Sequence, residues 1–227
     1  MPSRKDVFHN NCYYHIFDKT IDHKEIFSLS KFARHFIQTF LYYRSKKSIL
    51  RFSKMKLLDR YKQNDIWNEI MLQNYFQVDI VSYCLMPNHY HFLLKQLKEN
   101  GIRIFMSQIL NSITRYYNVL NKRKGPVFLT QFRSKKIYTV EQLVYVSRYI
   151  HTNPYADSLV GSIEEIFNYS YSSIGSYLTN VNKCKIAIDD VLDYFGNKPE
   201  KYKDFIIKNA DDQKDFEYLK YSEKWRI

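Results

Sequence analysis

Residues 83–94 constrain the fold of this chain more than any other part of the sequence. Two runs of aromatic and aliphatic residues flank a Pro-Asn pair, a pattern that predicts two β-strands joined by a tight turn. Residues two apart on a strand point to the same side and lie about 6–7 Å from each other. His89 and His91 therefore face one side of the predicted second strand, where both imidazoles can reach one ion.

Composition places the chain among globular proteins without a membrane segment. It has 227 residues, 45% of them hydrophobic, which is enough for one core and an appendage. The sequence contains no run of eighteen apolar residues, and its polar N-terminus leads into no secretion signal. Three cysteines, Cys12, Cys84 and Cys184, share no metal-binding spacing and are expected to be reduced thiols. We therefore expect a cytoplasmic protein.

The net charge of +12 is distributed unevenly along the chain. The residues before Gly161 include 25 basic and 11 acidic side chains, whereas those from Gly161 onward include 10 basic and 12 acidic ones. A basic N-terminal part predicts a polyanionic partner, because each neutralised phosphate releases counterions and strengthens binding. An AT-rich genome also raises the number of lysines, but it does not explain why they avoid the C-terminal third.

Hydrophobic periodicity predicts an α+β chain. The predicted elements are a strand at 12–17, a helix at 30–41, strands at 78–85 and 89–95, a helix at 101–124, a strand at 127–137 and a helix at 139–154. The β-α-β-β-α-β order is that of a ferredoxin-like, split βαβ antiparallel sheet with helices on one face. We assign 1–160 to this domain, with 44–77 as a helical insertion, and 161–227 to a small helical extension.

The last predicted helix carries a second group of candidate residues. Tyr149 and Asn153 are four positions apart and therefore share one face of this helix. The amide oxygen of Asn153 can complete a ligand set with His89 and His91. Two imidazoles and one carboxamide, with water and phosphate oxygens, suit Mg²⁺ or Mn²⁺ better than a structural zinc ion. Such an ion acts as a Lewis acid on a phosphate oxygen.

Tyr149 is the candidate nucleophile of this site. Ionising a phenol with a pKa near 10 at neutral pH costs about 4 kcal/mol, part of which the cation and either Arg148 or His151 are expected to offset. Each feature has a plain alternative: a His-x-His pair is more often a surface or core pair, and an Asn before a proline usually ends a helix. The functional interpretation depends on their joint occurrence in this order.

Basic and aromatic residues near the predicted site are candidates for binding nucleic acid. A solvated helix end whose lysines only complement the helix dipole is the alternative interpretation. With tyrosines between them, these cations combine phosphate neutralisation with rings that stack unpaired bases. The candidate residues are Arg115, Tyr116, Tyr117, Lys122, Arg123, Lys124, Arg133, Lys135, Lys136 and Arg148.

The motifs resemble those of a known family. Residues 86–94, Met-Pro-Asn-His-Tyr-His-Phe-Leu-Leu, resemble the HUH motif of single-tyrosine, insertion-sequence transposases. Residues 149–154, followed by Leu159-Val160, resemble the catalytic helix of the REP-associated tyrosine transposases within that group. Further matches in the same order lie at 116–118, 125–128 and 171–173. The resemblance covers residues 10–176.

This resemblance implies an HUH fold that cuts and rejoins single-stranded DNA near hairpins. Cleavage would leave a 5′-phosphotyrosine and a free 3′-hydroxyl group. By position, Tyr149 is the nucleophile, His89 and His91 are metal ligands, and Asn153 matches the third ligand. The implied partner is hairpin DNA in the bacterial nucleoid, bound by a monomer or a homodimer.

The sequence departs from the family pattern at several positions and leaves other functions open. Asp157 and Ser158 stand where the family often has Ala-Gly, and Gln131 stands where an arginine that contacts phosphate is common. A domesticated protein that binds hairpin or repeat DNA without transposition is the main alternative to a transposase. In a third interpretation, a nuclease that activates water, Tyr149 is dispensable.

Overall fold

The described part of the chain forms a four-stranded antiparallel sheet. The computed structural model describes residues 7–129, 131–179, 182 and 184–211. Across the sheet the strand order is β2-β3-β1-β4, and each neighbouring pair is antiparallel. The strands are β1 (Tyr13–Lys19), β2 (Val78–Met86), β3 (His89–Gln96) and β4 (Arg133–Ile137).

Eight α-helices and four short 3₁₀ helices occur in the described ranges. The α-helices are α1 (Ser30–Tyr43), α2 (Phe52–Met55), α3 (Arg60–Ile70), α4 (Gly101–Leu120), α5 (Val140–Ala156), α6 (Ile174–Leu178), α7 (Asp189–Leu192) and α8 (Pro199–Lys208). The 3₁₀ helices are Ile21–His23, Gln73–Tyr75, Glu164–Asn168 and Asp193–Phe195. None of the helices in these ranges has the length and apolar content needed to cross a lipid bilayer.

The order of elements is the one that the sequence predicts. Strand β3 lies between β1 and β2, so the β1–α1–β2 unit is split by an antiparallel strand. Helices α2 and α3 occupy the predicted insertion, which lies between α1 and β2. The domain boundary predicted after residue 160 stays a prediction, and residues 212–227 of the predicted extension lie outside the described residues.

One face of the sheet packs against α1 and α4 through aromatic side chains. The Phe92 ring lies 6.1 Å from that of Phe36 on α1 and 6.2 Å from that of Phe105 on α4. Phe40 packs edge-on against Tyr83 of β2 at 4.9 Å between ring centroids. Burying this apolar surface supplies most of the driving force for folding.

Helix α5 covers the opposite face of the sheet, together with the segment that follows it. His91 points to this face, because its ring contacts Tyr149 of α5. Phe17 is paired with His91 and therefore points the same way. The segment also covers the outer edge of β2: the Leu85 amide donates to Tyr171, and the amide of Ser173 donates to Tyr83. Main-chain bonding at this edge makes the segment part of the sheet layer rather than a detached appendage.

Three predicted boundaries are wrong. Strand β4 begins at Arg133 instead of residue 127, because the pairing seen among the described residues before it is an isolated bridge between Thr20 and Phe128. Helix α4 ends at Leu120, before the basic run, where Lys122 has a positive φ of 48°. Helix α5 continues through Pro154 to Ala156.

Candidate functional site

The predicted hairpin places His89 and His91 at the beginning of β3. The strands pair across the Pro-Asn turn from Met86 and His89 onward, which confirms the hairpin. The two imidazole rings lie 5.1 Å apart between centroids, at 83° to each other. Their spacing of two residues puts both rings on the face that α5 covers.

A third histidine, His15 on β1, joins this pair. Its Nε2 atom lies 2.9 Å from Nδ1 of His91, and both side chains are buried. His91 pairs directly with Phe17, so His15 lies diagonally across the ladder on the same face. His15 was not among the residues predicted from the sequence. It is two residues from Tyr13 and from Phe17, so strand alternation places its imidazole on the same face as these two rings.

Tyr149 of α5 lies against these two histidines. Its ring contacts that of His15 at 5.7 Å and that of His91 at 5.6 Å between centroids, edge-on in both cases. The three residues come from separate elements of the fold, and Tyr149 is half-buried. The structure therefore brings the predicted nucleophile to His91 of the predicted pair.

His89 lies between two oxygen-bearing side chains. Its Nδ1 atom is 2.7 Å from Oδ1 of Asn88 in the turn, and its Nε2 atom is 3.7 Å from Oδ2 of Asp157. A carboxamide oxygen only accepts, so Nδ1 of His89 donates, and in the neutral imidazole Nε2 then carries the lone pair. Asp157, the C-cap residue of α5, was noted in the sequence only as a departure from the family pattern.

Asn153 is buried one turn after Tyr149. Its amide nitrogen donates to the carbonyl of Tyr149 at 2.8 Å and approaches that of Ile150 at 3.4 Å. Pro154 has no N–H group for the Ile150 carbonyl, and the Asn153 amide supplies a donor in its place. The amide oxygen is the atom left for the predicted metal-ligand role, which stays a prediction.

The donor atoms around His89 are compatible with a divalent ion. No three His, Cys, Asp or Glu residues in the described ranges are arranged to hold a metal. Two donors that share one ion at about 2.1 Å each are themselves about 3–4 Å apart, as Nε2 of His89 and Oδ2 of Asp157 are at 3.7 Å. In addition, Nδ1 of both His89 and His91 bonds a neighbouring side chain, the usual support of a ligating imidazole.

Arg148 and His151 face away from this site. His151 is fully buried between the hydroxyl groups of Tyr202 and Ser173, at 2.8 and 2.7 Å, and burial lowers its pKa to about 3. Arg148 is buried and donates to the Asn209 carbonyl at 2.6 Å. Positions two apart on a helix differ by about 200° in azimuth, so the expectation that His151 helps to ionise Tyr149 is wrong. The buried guanidinium likewise argues against the predicted DNA contact of Arg148.

Basic residues of β4 line a groove that leads to the site. Lys135 pairs directly with His15 and Arg133 with Phe17, which puts both cations on the face of the histidines. The groove, of about 510 Å³, runs between β4 and α5. Its lining includes His15, Lys135, Lys136, Tyr138, Gln142 and Tyr145. Tyr138 and Tyr145 are exposed rings that sequence reasoning did not assign to binding.

The other predicted DNA-binding residues lie on and after α4. Lys122, Lys124 and Arg115 are exposed, whereas Arg123 donates to the Pro126 carbonyl at 3.1 Å. The two tyrosines pack inward: the Tyr116 ring stacks on His35 at 3.7 Å, and Tyr117 lies 5.4 Å from Phe32. Because these rings already pack against α1, they are poorly placed for the predicted stacking on unpaired bases.

Comparisons with known proteins find similarity among solved structures. No protein-family model matches this sequence, and no curated protein does either. Among solved structures, the chain is similar to one described as "Structure of the REP associates tyrosine transposase bound to a REP hairpin". The TM-score is 0.48 at 12% identity, over 79% of this chain and 87% of that chain. Membership of the transposase family therefore stays a prediction.

Proposed function

We propose that this protein is a metal-dependent endonuclease and strand transferase of the HUH type, a transposase that acts on single-stranded DNA near hairpins. One observation carries the proposal: Tyr149 lies against His91 and His15, beside His89, on the face of the sheet that also bears Arg133 and Lys135. A phenol, several imidazoles and an adjoining basic groove are the groups that tyrosine-dependent phosphoryl transfer needs.

In the proposed reaction, the Tyr149 oxygen attacks a phosphodiester in the groove. A new bond joins that oxygen to phosphorus as the bond to the 3′ oxygen breaks. The phenol proton leaves, and the leaving 3′ oxygen takes up a proton to become a hydroxyl group. The DNA keeps its 5′ phosphate on the tyrosine, so a second strand's 3′-hydroxyl can reverse the step and join. The site must offset the cost of about 4 kcal/mol for ionising the phenol at neutral pH.

The metal ion would be held by His89 and His91, with Asn153 as the predicted third ligand. Bound there, Mg²⁺ or Mn²⁺ would polarise a phosphate oxygen and align the leaving group. The chain itself positions Tyr149 by packing its ring against two imidazoles that lie on neighbouring strands. Lys135 and Arg133 place positive charge along the path of the DNA.

The groove also contributes rings for unpaired bases. Tyr138 is 74% exposed and Tyr145 is 51% exposed, so both rings are accessible from solvent along the groove wall. Stacking of a base on such a ring contributes about 1–3 kcal/mol and is tolerant of sequence. This arrangement supports a single-stranded segment, rather than a closed duplex, as the part of the DNA that reaches Tyr149.

The experiment that tests the proposal is a covalent adduct assay. The protein is incubated with hairpin oligonucleotides carrying single-stranded flanks and Mg²⁺ or Mn²⁺, and adducts are resolved on a denaturing gel. We expect an adduct with the wild-type protein and none with Tyr149→Phe, while DNA binding stays within a few fold. Tyr155→Phe is the matched control on the same helix, because its hydroxyl bonds Asp211 at 3.1 Å instead of facing the site.

Other outcomes would point to the alternative functions. Binding without any wild-type adduct would support the domesticated hairpin-binding protein. Strand cleavage that persists in Tyr149→Phe without an adduct would support a nuclease that activates water. Adducts that persist in this variant would move the nucleophile to another tyrosine, with Tyr145 the nearest candidate, one helical turn earlier.

A further inference from the structure

We propose that His15 is a positioning residue that fixes the tautomer of His91, so that Nε2 of His91 carries the lone pair for a metal ion. The proposal rests on the proposed function, since it assigns His91 as a ligand. It adds a residue of β1 to a site otherwise built from β3 and α5.

The contact between the two imidazoles has the geometry of a hydrogen bond. Nε2 of His15 and Nδ1 of His91 lie 2.9 Å apart, and both side chains are buried. Between two neutral imidazoles one nitrogen donates and the other accepts. If His91 donates, its Nε2 atom carries the lone pair. If His15 donates, the proton of His91 is on Nε2, and that nitrogen cannot ligate a metal.

The neighbouring histidine indicates which direction is used. Nδ1 of His89 donates to the Oδ1 atom of Asn88 at 2.7 Å, which places the lone pair of His89 on Nε2. Both rings project from the same strand two residues apart, on the face that α5 covers, with their planes at 83° to each other. An Nδ1–H donor on His91 would make the two ligands alike, with His15 in the accepting role that Asn88 has for His89.

The packing around His15 holds its ring in place. Its ring lies 4.8 Å from Phe17 and 5.7 Å from Tyr149, so neighbours in the strand and on α5 limit its rotation. A buried acceptor held in one orientation imposes a tautomer on its partner at little entropic cost. Such supporting partners of ligating histidines typically change metal affinity about 10–100-fold when removed.

The first test reads the tautomer directly in the metal-free, DNA-free protein. The seven histidines are labelled with ¹⁵N, and long-range ¹H–¹⁵N spectra distinguish protonated from unprotonated ring nitrogens. Spectra of His15→Gln and His91→Gln assign the two residues. We expect the proton on Nδ1 in both His91 and His15. A proton on Nε2 of His91 would overturn the proposal without any variant having to bind metal.

The second test measures Mn²⁺ affinity by calorimetric titration. His15→Phe keeps a ring of similar size but removes the acceptor, and we expect affinity to fall about 10–100-fold. His15→Gln places a carboxamide oxygen where it can accept from Nδ1 of His91, and we expect affinity close to wild type. His35→Phe is the control, since His35 is a similarly buried histidine on the other face of the sheet, stacked on Tyr116.

The outcomes separate this proposal from the proposed function. Unchanged Mn²⁺ affinity in His15→Phe, or no Mn²⁺ binding by the wild-type protein, would overturn the role of His15. A wild-type protein with the expected tautomer and Mn²⁺ affinity but no DNA adduct would leave that role intact and overturn the nuclease. If His15→Phe does not fold, the wild-type spectra and His15→Gln decide the question.

Discussion

Helix α5 separates two buried clusters, one with two histidines and one with His151 alone, which differ in the hydrogen-bond partners of their imidazoles. On the sheet side, His91 bonds another imidazole, that of His15, and lies against the half-buried Tyr149 beside a groove. On the other side, His151 is fully buried, with each ring nitrogen bonded to a hydroxyl group of the C-terminal segment. Both clusters consist of histidine and tyrosine, so residue type does not distinguish them.

The difference shows how one residue type serves two purposes. A neutral imidazole with a hydroxyl partner at each nitrogen is satisfied and contributes to stability, because removing it leaves buried hydroxyl groups unpaired. An imidazole bonded through Nδ1 beside an accessible groove is arranged to present Nε2 to a ligand. We therefore expect substitutions on the sheet side to affect chemistry and those on the far side to affect folding.

The largest expected effect comes from removing the C-terminal segment after Tyr177. The sequence alone predicts that this truncation does not weaken DNA binding. In the structure, however, it removes the buried side chains of Val191, Tyr202 and Ile206 and uncovers His151. The expected loss is comparable with the whole stability of a typical domain, about 5–15 kcal/mol. Circular dichroism should show no cooperative melt.

Truncation after Asp211 is the matched control. It keeps Val191, Tyr202 and Ile206 and the cover over His151, so the cooperative melt should be retained. A cooperative melt in the shorter variant would contradict the role assigned to the segment.

The next prediction compares alanine variants in the two clusters: those on the sheet side should lose activity, and the one on the far side should lose stability. His89→Ala should reduce adduct formation at least about a thousandfold, with stability changed by less than about 1 kcal/mol. His91→Ala should reduce adduct formation as much, at a further cost of about 1–3 kcal/mol because it leaves the buried His15 without its partner. His151→Ala should instead lower the free energy of unfolding by about 3 kcal/mol and leave adduct formation by the folded fraction intact. Adduct assays and urea titrations measure the two quantities. The distinction between the clusters fails if both variants lose activity equally at matched stability.

Acid titration gives a smaller, graded effect. Burial lowers the pKa of His151 from the usual 6.5 to about 3, so the unfolded chain takes up a proton below pH 6.5 that the folded protein does not. His151 therefore costs stability as pH falls from 6.5 toward 3, by about 1.4 kcal/mol per pH unit. His151→Gln keeps one donor and one acceptor but does not titrate. Urea unfolding between pH 7 and pH 4 should show that the free energy of unfolding of this variant depends on pH with a slope one proton smaller than that of the wild-type protein.

His35 provides an internal comparison for this measurement. Burial lowers its pKa to about 4, and it lies on the other face of the sheet. The part of the pH dependence of unfolding that His35 contributes should remain in His151→Gln. An unchanged slope in that variant would mean that His151 is protonated in the folded protein.

The smallest effect compares two basic groups as DNA contacts. Replacing Arg133, Lys135 and Lys136 by alanine should weaken binding of a single-stranded oligonucleotide more than replacing the three basic residues 122–124. Two of the first group share the face of the histidines. We expect the affinity for the oligonucleotide to fall about tenfold. The slope of log affinity against log salt concentration should become smaller by up to about two, at 0.7 per phosphate contact. Fluorescence anisotropy at several salt concentrations gives both. A larger loss with the 122–124 variant would place the DNA on the α4 side.

Local sequence patterns predicted the parts of the site that depend on nearby residues. The hairpin follows from alternation around a turn, and the shared face of Tyr149 and Asn153 follows from helical spacing. The start of α5 is likewise set by nearby residues, since the Thr139 hydroxyl caps the helix by accepting from the Gln142 amide at 3.2 Å. Pro154 misled the prediction of the helix end because a side-chain amide replaces the missing donor.

The sequence by itself determined the order of strands and helices along the chain, the histidine pair and the helix face shared by Tyr149 and Asn153, because each depends on periodicities of a few residues. Only the tertiary structure decided which neighbours those residues have. His15 meets His91 from 76 positions away in the sequence, and Tyr202 reaches His151 from 51 positions away. Contacts of this kind depend on strand register and on how helices pack, and no local pattern encodes them.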